Sequence, residues 1–246
     1  MLNISGYMFV YLKNLEHWQT ECREQCTALA LKGTVVWSPE GINIMLAGTP
    51  SAIQAWIDWL HAFPEFAELR FKFSESAHQP YGKMLVKIKQ ELVRGQVNPI
   101  TEPAPAIKPT ELKAWYEMGK DFVIIDTRNS YELEVGKFKN ALDIHLDMFN
   151  EFPAKMAALP DEIKRKPVIV YCTGGIRCEK AAPLALKAGF QEVYQLEGGI
   201  LNYFEECGRA FYEGDCFVFD ERSALDENLG FWSRPLFDSG PVPPAT

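Results

Sequence analysis

No uninterrupted apolar stretch in this chain approaches the roughly twenty residues that carry a helix across a bilayer, so no membrane-spanning helix is expected. The opening residues Met1-Leu2-Asn3-Ile4-Ser5-Gly6 lack the charged and apolar regions of a signal peptide, which predicts a cytoplasmic protein with no membrane partner. There is no CxxC pair among the six cysteines (22, 26, 172, 178, 207 and 216). Cys22 and Cys26 lie four apart in a stretch of helical spacing, where side-chain direction makes a disulfide awkward, and reduced thiols are the default. The four histidines (17, 61, 78 and 145) are scattered without metal-ligand spacing, and no GxGxxG or phosphate loop is present. Neither a metal nor a nucleotide cofactor is expected. Oligomeric state is left open by the sequence.

Positive charge is also short, with a formal net charge of −8 that argues at first against nucleic acid. Its distribution reverses the argument. From Glu213 to the end, seven acidic residues face only Arg222 and Arg234, a net of −5. From Arg70 to Pro99, six basic residues (Arg70, Lys72, Lys83, Lys87, Lys89, Arg94) face Glu75 and Glu91, a net of +4. In Lys83-Met84-Leu85-Val86-Lys87-Ile88-Lys89 a strand places the lysines on one face and Met84, Val86 and Ile88 on the other. Lys83, Lys87, Lys89 and Arg94 are thereby candidate RNA-phosphate contacts, although an ordinary solvated sheet face would carry the same charges.

What the chain does have is length and apolar content enough for two domains: 246 residues, 47% of them hydrophobic. The first hundred residues read as strand (Tyr7 to Leu12), helix (Leu15 to Leu31), a hairpin of Gly33 to Trp37 and Ile42 to Leu46 about the turn Ser38-Pro39-Glu40-Gly41, a helix, and strands at Leu69 to Phe73 and Met84 to Val93. Thr49 caps the second helix and Pro50 suits its first turn. A ferredoxin-like α/β sandwich over 1–97, helices on one face of an antiparallel sheet, accounts for this order.

Pro99, Pro103, Pro105 and Pro109 mark residues 98–109 as a linker, because proline disfavours helix and removes sheet donors. From 110 to 208 helices alternate with short continuous apolar strands (Phe122 to Asp126, Pro167 to Tyr171, Val193 to Leu196), the pattern of a parallel sheet covered by helices on both faces. Residues 209–246 form a C-terminal extension. Ligands of such sheets gather at the carboxyl ends of the strands, where Asp126, Arg128, Cys172 and Glu197 fall.

The candidate site is the loop Cys172-Thr173-Gly174-Gly175-Ile176-Arg177-Cys178, between the strand ending at Tyr171 and a helix opening at Lys180. A cysteine placed there faces backbone N–H groups and the positive end of a helix dipole, both of which favour the nucleophilic thiolate. Asp126 and Arg128 are expected to support the site as a pair hydrogen-bonding the active loop. Cys178, at the helix start, is either a packing residue or a partner that resolves an oxidised or persulfurated Cys172. Pro183 removes a hydrogen bond in the second helical turn.

Four ordered segments carry a resemblance. Ile125-Asp126-Thr127-Arg128, then Tyr131-Glu132 with Gly136 to Ala141, then Cys172 to Arg177, and Glu197-Gly198-Gly199-Ile200 make residues 110–208 resemble a rhodanese domain. The resemblance implies that Cys172 takes up sulfur as a persulfide, that the N–H groups of Thr173 to Cys178 stabilise it, and that Arg177 helps hold an anion. Over nearly its whole length, through Cys172 to Ala181, Ser38 to Asn43 and Cys216 to Arg222, the chain resembles the rhodanese-related tRNA uridine hydroxylases. That resemblance implies tRNA as partner, molecular oxygen as co-substrate, and hydroxylation of the wobble uridine (position 34) at carbon five to 5-hydroxyuridine. The alternatives are a sulfurtransferase carrying sulfane sulfur on Cys172, and a noncatalytic RNA-binding adaptor. Longer members continue into a cysteine-rich, metal-binding-like segment, whereas this chain has Phe231 to Phe237 and a proline-rich tail, and Trp232, Leu236 and Phe237 are expected to pack that tail onto a domain.

Overall fold

The computed structural model describes residues 1–229, so the expectation for Trp232, Leu236 and Phe237 lies outside the described residues. Two compact units divide the described residues: Met1–Leu92 with Asp220–Arg222, and Val93–Phe219 with 223–229. The expected boundary at 97 therefore lies five residues too far along. Val93 and Val97 are apolar, and both are buried in the core of the second unit.

The first unit runs β1 (Leu2–Phe9), α1 (Leu15–Ala28), β2 (Lys32–Ser38), β3 (Gly41–Gly48), α2 (Pro50–His61), β4 (Lys72–Glu75) and β5 (Met84–Ile88). Its strand order, β4-β1-β3-β2-β5, is the ferredoxin-like arrangement with one strand added at the β2 edge. β2 and β3 form the expected hairpin, and Thr49 Oγ1 accepts from Ala52 N–H to cap α2. One expectation is corrected: the sheet is not wholly antiparallel. β4 and β5 occupy opposite edges, and the chain, having crossed from one to the other, enters β5 parallel to β2. The strand also stops at Ile88 instead of Val93. Leu92 N–H leaves the ladder to donate to Glu40 Oε1, and Leu92 is buried.

Alternate residues of the sheet face the helices. Ile4, Val35, Trp37, Ile42, Ile44, Leu46 and Val86 pack with Cys22 and Cys26 of α1 and with Ile53, Trp56, Ile57 and Leu60 of α2. α1 also covers the free edge of the sheet: Gln19 Nε2 and Arg23 Nη2 both donate to the Val86 carbonyl.

The second unit begins its regular structure at β6 (Ala106–Ile107) and α3 (Pro109–Glu117), followed by β7 (Val123–Asp126), α4 (Ser130–Leu133), β8 (Gly136–Phe138), α5 (Phe152–Ala157), α6 (Asp161–Lys164), β9 (Pro167–Tyr171), α7 (Cys178–Lys187), β10 (Glu192–Leu196), α8 (Gly199–Cys207), β11 (Tyr212–Gly214), β12 (Cys216–Phe217) and β13 (Ala224–Leu225). The sheet β6-β10-β9-β7 is parallel throughout. One face packs Val168, Val170 and Val193 against Ala181, Ala182 and Ala185 of α7 and Met156 of α5; the other packs Ile169, Tyr171 and Leu196 against Leu112 and Trp115 of α3 and Ile200 and Phe204 of α8. β6 lies within the stretch expected to be linker. Proline lacks a donor but keeps its acceptor, and at this sheet edge the carbonyls of Pro105 and Ile107 accept from Gln195 and Glu197. Beyond α8, β11 pairs with β8 and β12 with β13 in this unit, while Asp220–Arg222 between the last two strands belong to the first unit.

Candidate active site

Cys172 follows the last residue of β9, whose Tyr171 carbonyl is held twice by Thr127, through its N–H and its Oγ1, both at 2.9 Å. From there the chain turns through Thr173 to Arg177 into α7. The Cys172 side chain lies inside the turn, 2% exposed, and its Sγ accepts from Gly175 N–H at 3.1 Å.

The same loop is clamped from behind by the first turn of α8, where Ile200 N–H donates to the Cys172 carbonyl and Leu201 N–H to the Thr173 carbonyl. This contact requires glycine. Gly199 has φ +65°, and a Cβ on it would stand 2.5 Å from Cys172 O and 2.7 Å from Thr173 O. The Glu-Gly-Gly-Ile segment is thus a seat for the loop.

Burial alone would push the Cys172 thiol up. It is overcome by a hydrogen bond from the Cys178 thiol, by the charge of Arg177, and by the N–H groups of Arg177 and Gly175, which together bring it down to about 6. Cys178 moves the other way. Fully buried and facing the Cys172 sulfur, it is held well above the usual thiol range, with Thr127 Oγ1 4.0 Å from its sulfur. One thiol therefore ionises and its neighbour stays protonated as its donor. All six cysteines are free thiols, and a third, Cys216, is also buried in this unit and pushed up to about 12 by burial.

The Arg177 guanidinium makes a two-pronged bond to Glu132, at 2.7 and 3.1 Å, while its charge and backbone N–H favour the Cys172 thiolate. Burial opposes that charge, but the Glu132 carboxylate holds Arg177 in its charged form. Glu132 is fully buried and oriented by a capping box: its Oε1 also accepts from Asn129 N–H at 2.9 Å, while the Asn129 side chain caps the N–H of Glu132. Arg177 also lies over the Phe219 ring, 5.7 Å from its centroid.

Asp126 and Arg128 form a buried fork, Nε to Oδ1 at 3.0 Å and Nη2 to Oδ2 at 2.7 Å. Their remaining bonds correct the expectation that the pair holds the active loop directly. Arg128 Nη2 donates to Gly136 O at 2.6 Å and Nη1 to Glu132 O at 3.4 Å. The pair braces the 132–136 segment, and through Glu132 it positions Arg177. An arginine after a strand end needs a carboxylate to be buried, and Asp126 is the nearer one.

Thr173, Gly174, Ile176 and Arg177 are half-buried, and Cys172, Gly175 and Cys178 are buried. In the first unit, Lys83 and Lys87 are exposed and Lys89 half-buried; Lys87 faces away from Val86, as the alternation predicts, while Ile88 at the strand end is more than a third exposed. Arg94 is exposed but belongs to the second unit, outside the strip in which the sequence placed it. Among the described residues no three His, Cys, Asp or Glu side chains are grouped to hold a metal ion, and no helix is long and apolar enough to cross a membrane.

Sequence reasoning gave no role to Glu132, Thr127 and Gly199. The first had a signal: Asn129-Ser130-Tyr131-Glu132 is a capping-box pattern. The roles of the other two arise from contacts between segments far apart in the chain.

Residues 1–92 match a family model described as a UPF0176 acylphosphatase-like domain, and residues 108–206 match the rhodanese-like domain. The chain is similar to a protein of Cupriavidus necator named tRNA uridine(34) hydroxylase, 47% identical over 238 residues that span 93% of this chain and 84% of that one. Proteins of the same name from Burkholderia thailandensis (45% identical, 93% and 81% covered) and Bordetella parapertussis (45%, 93% and 97%) are similar to it across both domains. The similarity runs through both domains and most of the length of each protein, and the chain belongs to the tRNA uridine(34) hydroxylase family.

Proposed function

We propose that this protein hydroxylates the wobble uridine of tRNA, position 34, at carbon five to give 5-hydroxyuridine, with molecular oxygen as co-substrate and Cys172 as the active-site, persulfide-type sulfur. The observation that carries the reading is the 47% identity, through both domains, to a protein named for that activity. The site chemistry supports it. A sulfur brought to about 6 is anionic at neutral pH, the nucleophilic form of the thiol. Arg177, fixed by Glu132, balances the charge of that sulfur, whether thiolate or persulfide, and Gly175 N–H holds it in place.

Lys83, Lys87, Lys89 and Arg94 are proposed to contact tRNA phosphates, and the site of action is proposed to be the cytoplasm. Sulfur transfer from Cys172 is not favoured, because it accounts for the second domain alone while the identity to the hydroxylases runs through the first as well. A strain deleted for this protein is expected to lose 5-hydroxyuridine derivatives from its tRNA and to regain them with the intact chain. Unchanged tRNA nucleosides together with thiosulfate-to-cyanide turnover by the purified protein would favour sulfur transfer instead.

A further inference from the structure

The face of the first unit's sheet opposite its two helices is built unlike a plain solvated surface. Strand register gives its rows directly. One runs Tyr7, Asn43, Val36, Lys87; the next Lys72, Ser5, Met45, Thr34, Leu85; a third Ser74, Asn3, Ala47, Lys32. Phe9, two residues along β1, lies on the same face with its ring edge-on to Tyr7 at 6.1 Å between centroids. Tyr7, Phe9, Asn43, Met45 and Thr34 are half-buried, Val36, Asn3 and Ala47 are buried, and Lys32, Lys83 and Lys87 are exposed. Tyr7, Phe9, Ser5, Thr34 and Asn43 share the middle with the apolar Val36, Met45 and Ala47, and lysines stand at both flanks: Lys72 on the β4 edge, Lys32, Lys83 and Lys87 on the other side. Asp220, beside the β4 edge, is forked by Arg222, whose Nη1 donates to Ser74 Oγ, so the Ser74 end of the face meets a buried ion pair.

Such a face is complementary to a single-stranded polyanion carrying planar bases. A duplex offers phosphates to the lysines but keeps its ring faces stacked internally, so it leaves the aromatic middle unused; unpaired bases stack on rings while their phosphates reach the flanks. The β4 and β5 edges are four strand spacings apart, about 19 Å, enough for a short run of nucleotides to cross. We infer that this sheet face binds the unpaired bases of an RNA loop, with Tyr7 and Phe9 as stacking residues, Asn43 and Thr34 facing base edges, and Lys72 and Lys87 at the phosphates. The inference rests on the tRNA reading above and names the part of the tRNA that this domain holds, the anticodon loop.

The test is fluorescence anisotropy of the full chain with two labelled RNAs, an anticodon stem-loop with uridine at the wobble position and a fully paired duplex of the same stem. Tyr7→Ala and Phe9→Ala are each expected to weaken stem-loop binding about tenfold and to leave duplex binding unchanged, with Tyr7→Phe close to the parent. Lys72→Ala and Lys87→Ala are expected to weaken both RNAs and to lower the slope of log affinity against log salt by about one each. Parent-like stem-loop binding by both alanine variants, or equal loss on both RNAs, overturns the inference. Should an alanine variant not fold, 4-thiouridine in the loop is expected to crosslink to the β1 peptide of the parent chain, and crosslinks confined to other peptides overturn it equally. The parent chain's product nucleoside is a separate readout: its absence counts against the hydroxylase reading and leaves the binding result standing.

Discussion

A buried thiol ordinarily keeps its proton, and Cys172 loses it because a second thiol, a guanidinium and two backbone N–H groups converge on its sulfur. The consequence is measurable as absorbance near 240 nm or as pH-dependent alkylation, with a midpoint near 6 that disappears in Cys172→Ser. The linkage has a definite sign. Because the folded thiol ionises below its unfolded value, its stabilisation is complete above the unfolded pKa and is lost as pH falls through the folded one. The stability of the parent relative to Cys172→Ala is therefore expected to rise between pH 6 and about 9, as denaturant unfolding will show. Glu132 has no solvent to turn to when its partner is removed, and the converse holds for Arg177, which is largely enclosed. Glu132→Ala is expected to cost about 3 kcal/mol of stability, with a correspondingly lower Tm, and unchanged stability would show that the pair is not coupled to the fold.

At the scale of elements, the site is the meeting of β9, α7 and α8, and these were unequally legible. The strand ending at Tyr171, the two glycines and the helix after Cys178 follow from local composition, so the loop and its nucleophile could be read from ten residues. The register of β10 against β6 could not, since Pro105 and Pro109 obscured a strand that contributes mainly acceptors. Nor could the seat that α8 makes for the loop, which joins segments some twenty-seven residues apart by an approach that only a missing side chain permits. Local pattern specifies an element's type, whereas long-range packing decides what it touches. Gly199→Ala tests that packing. With φ at +65° and backbone oxygens within 3 Å of the new carbon, it is expected to displace the Cys172 loop, move the thiol's midpoint back up toward 9, and abolish activity. A Gly199→Ala protein with the parent's midpoint would show that α8 does not support the cradle.

The whole molecule joins an acylphosphatase-like domain bearing lysines on a β-sheet to a rhodanese-like domain bearing one ionised cysteine. Its charge is unevenly distributed along the sequence, basic from Arg70 to Pro99 and acidic beyond Glu213, so the net of −8 conceals a locally basic stretch. Family membership was legible through strings in both domains. The pairing of Glu132 with Arg177 and of Arg128 with the 132–136 segment was not legible, because a charged residue's partner depends on the folded path of the chain. The central claim is that this cradle is the reactive centre for wobble-uridine hydroxylation. It is tested most directly by mass spectrometry of tRNA nucleosides from a deletion strain carrying either the parent chain or Cys172→Ala at equal protein level. The account predicts that 5-hydroxyuridine derivatives return with the parent and are absent with Cys172→Ala; full restoration by Cys172→Ala would contradict it.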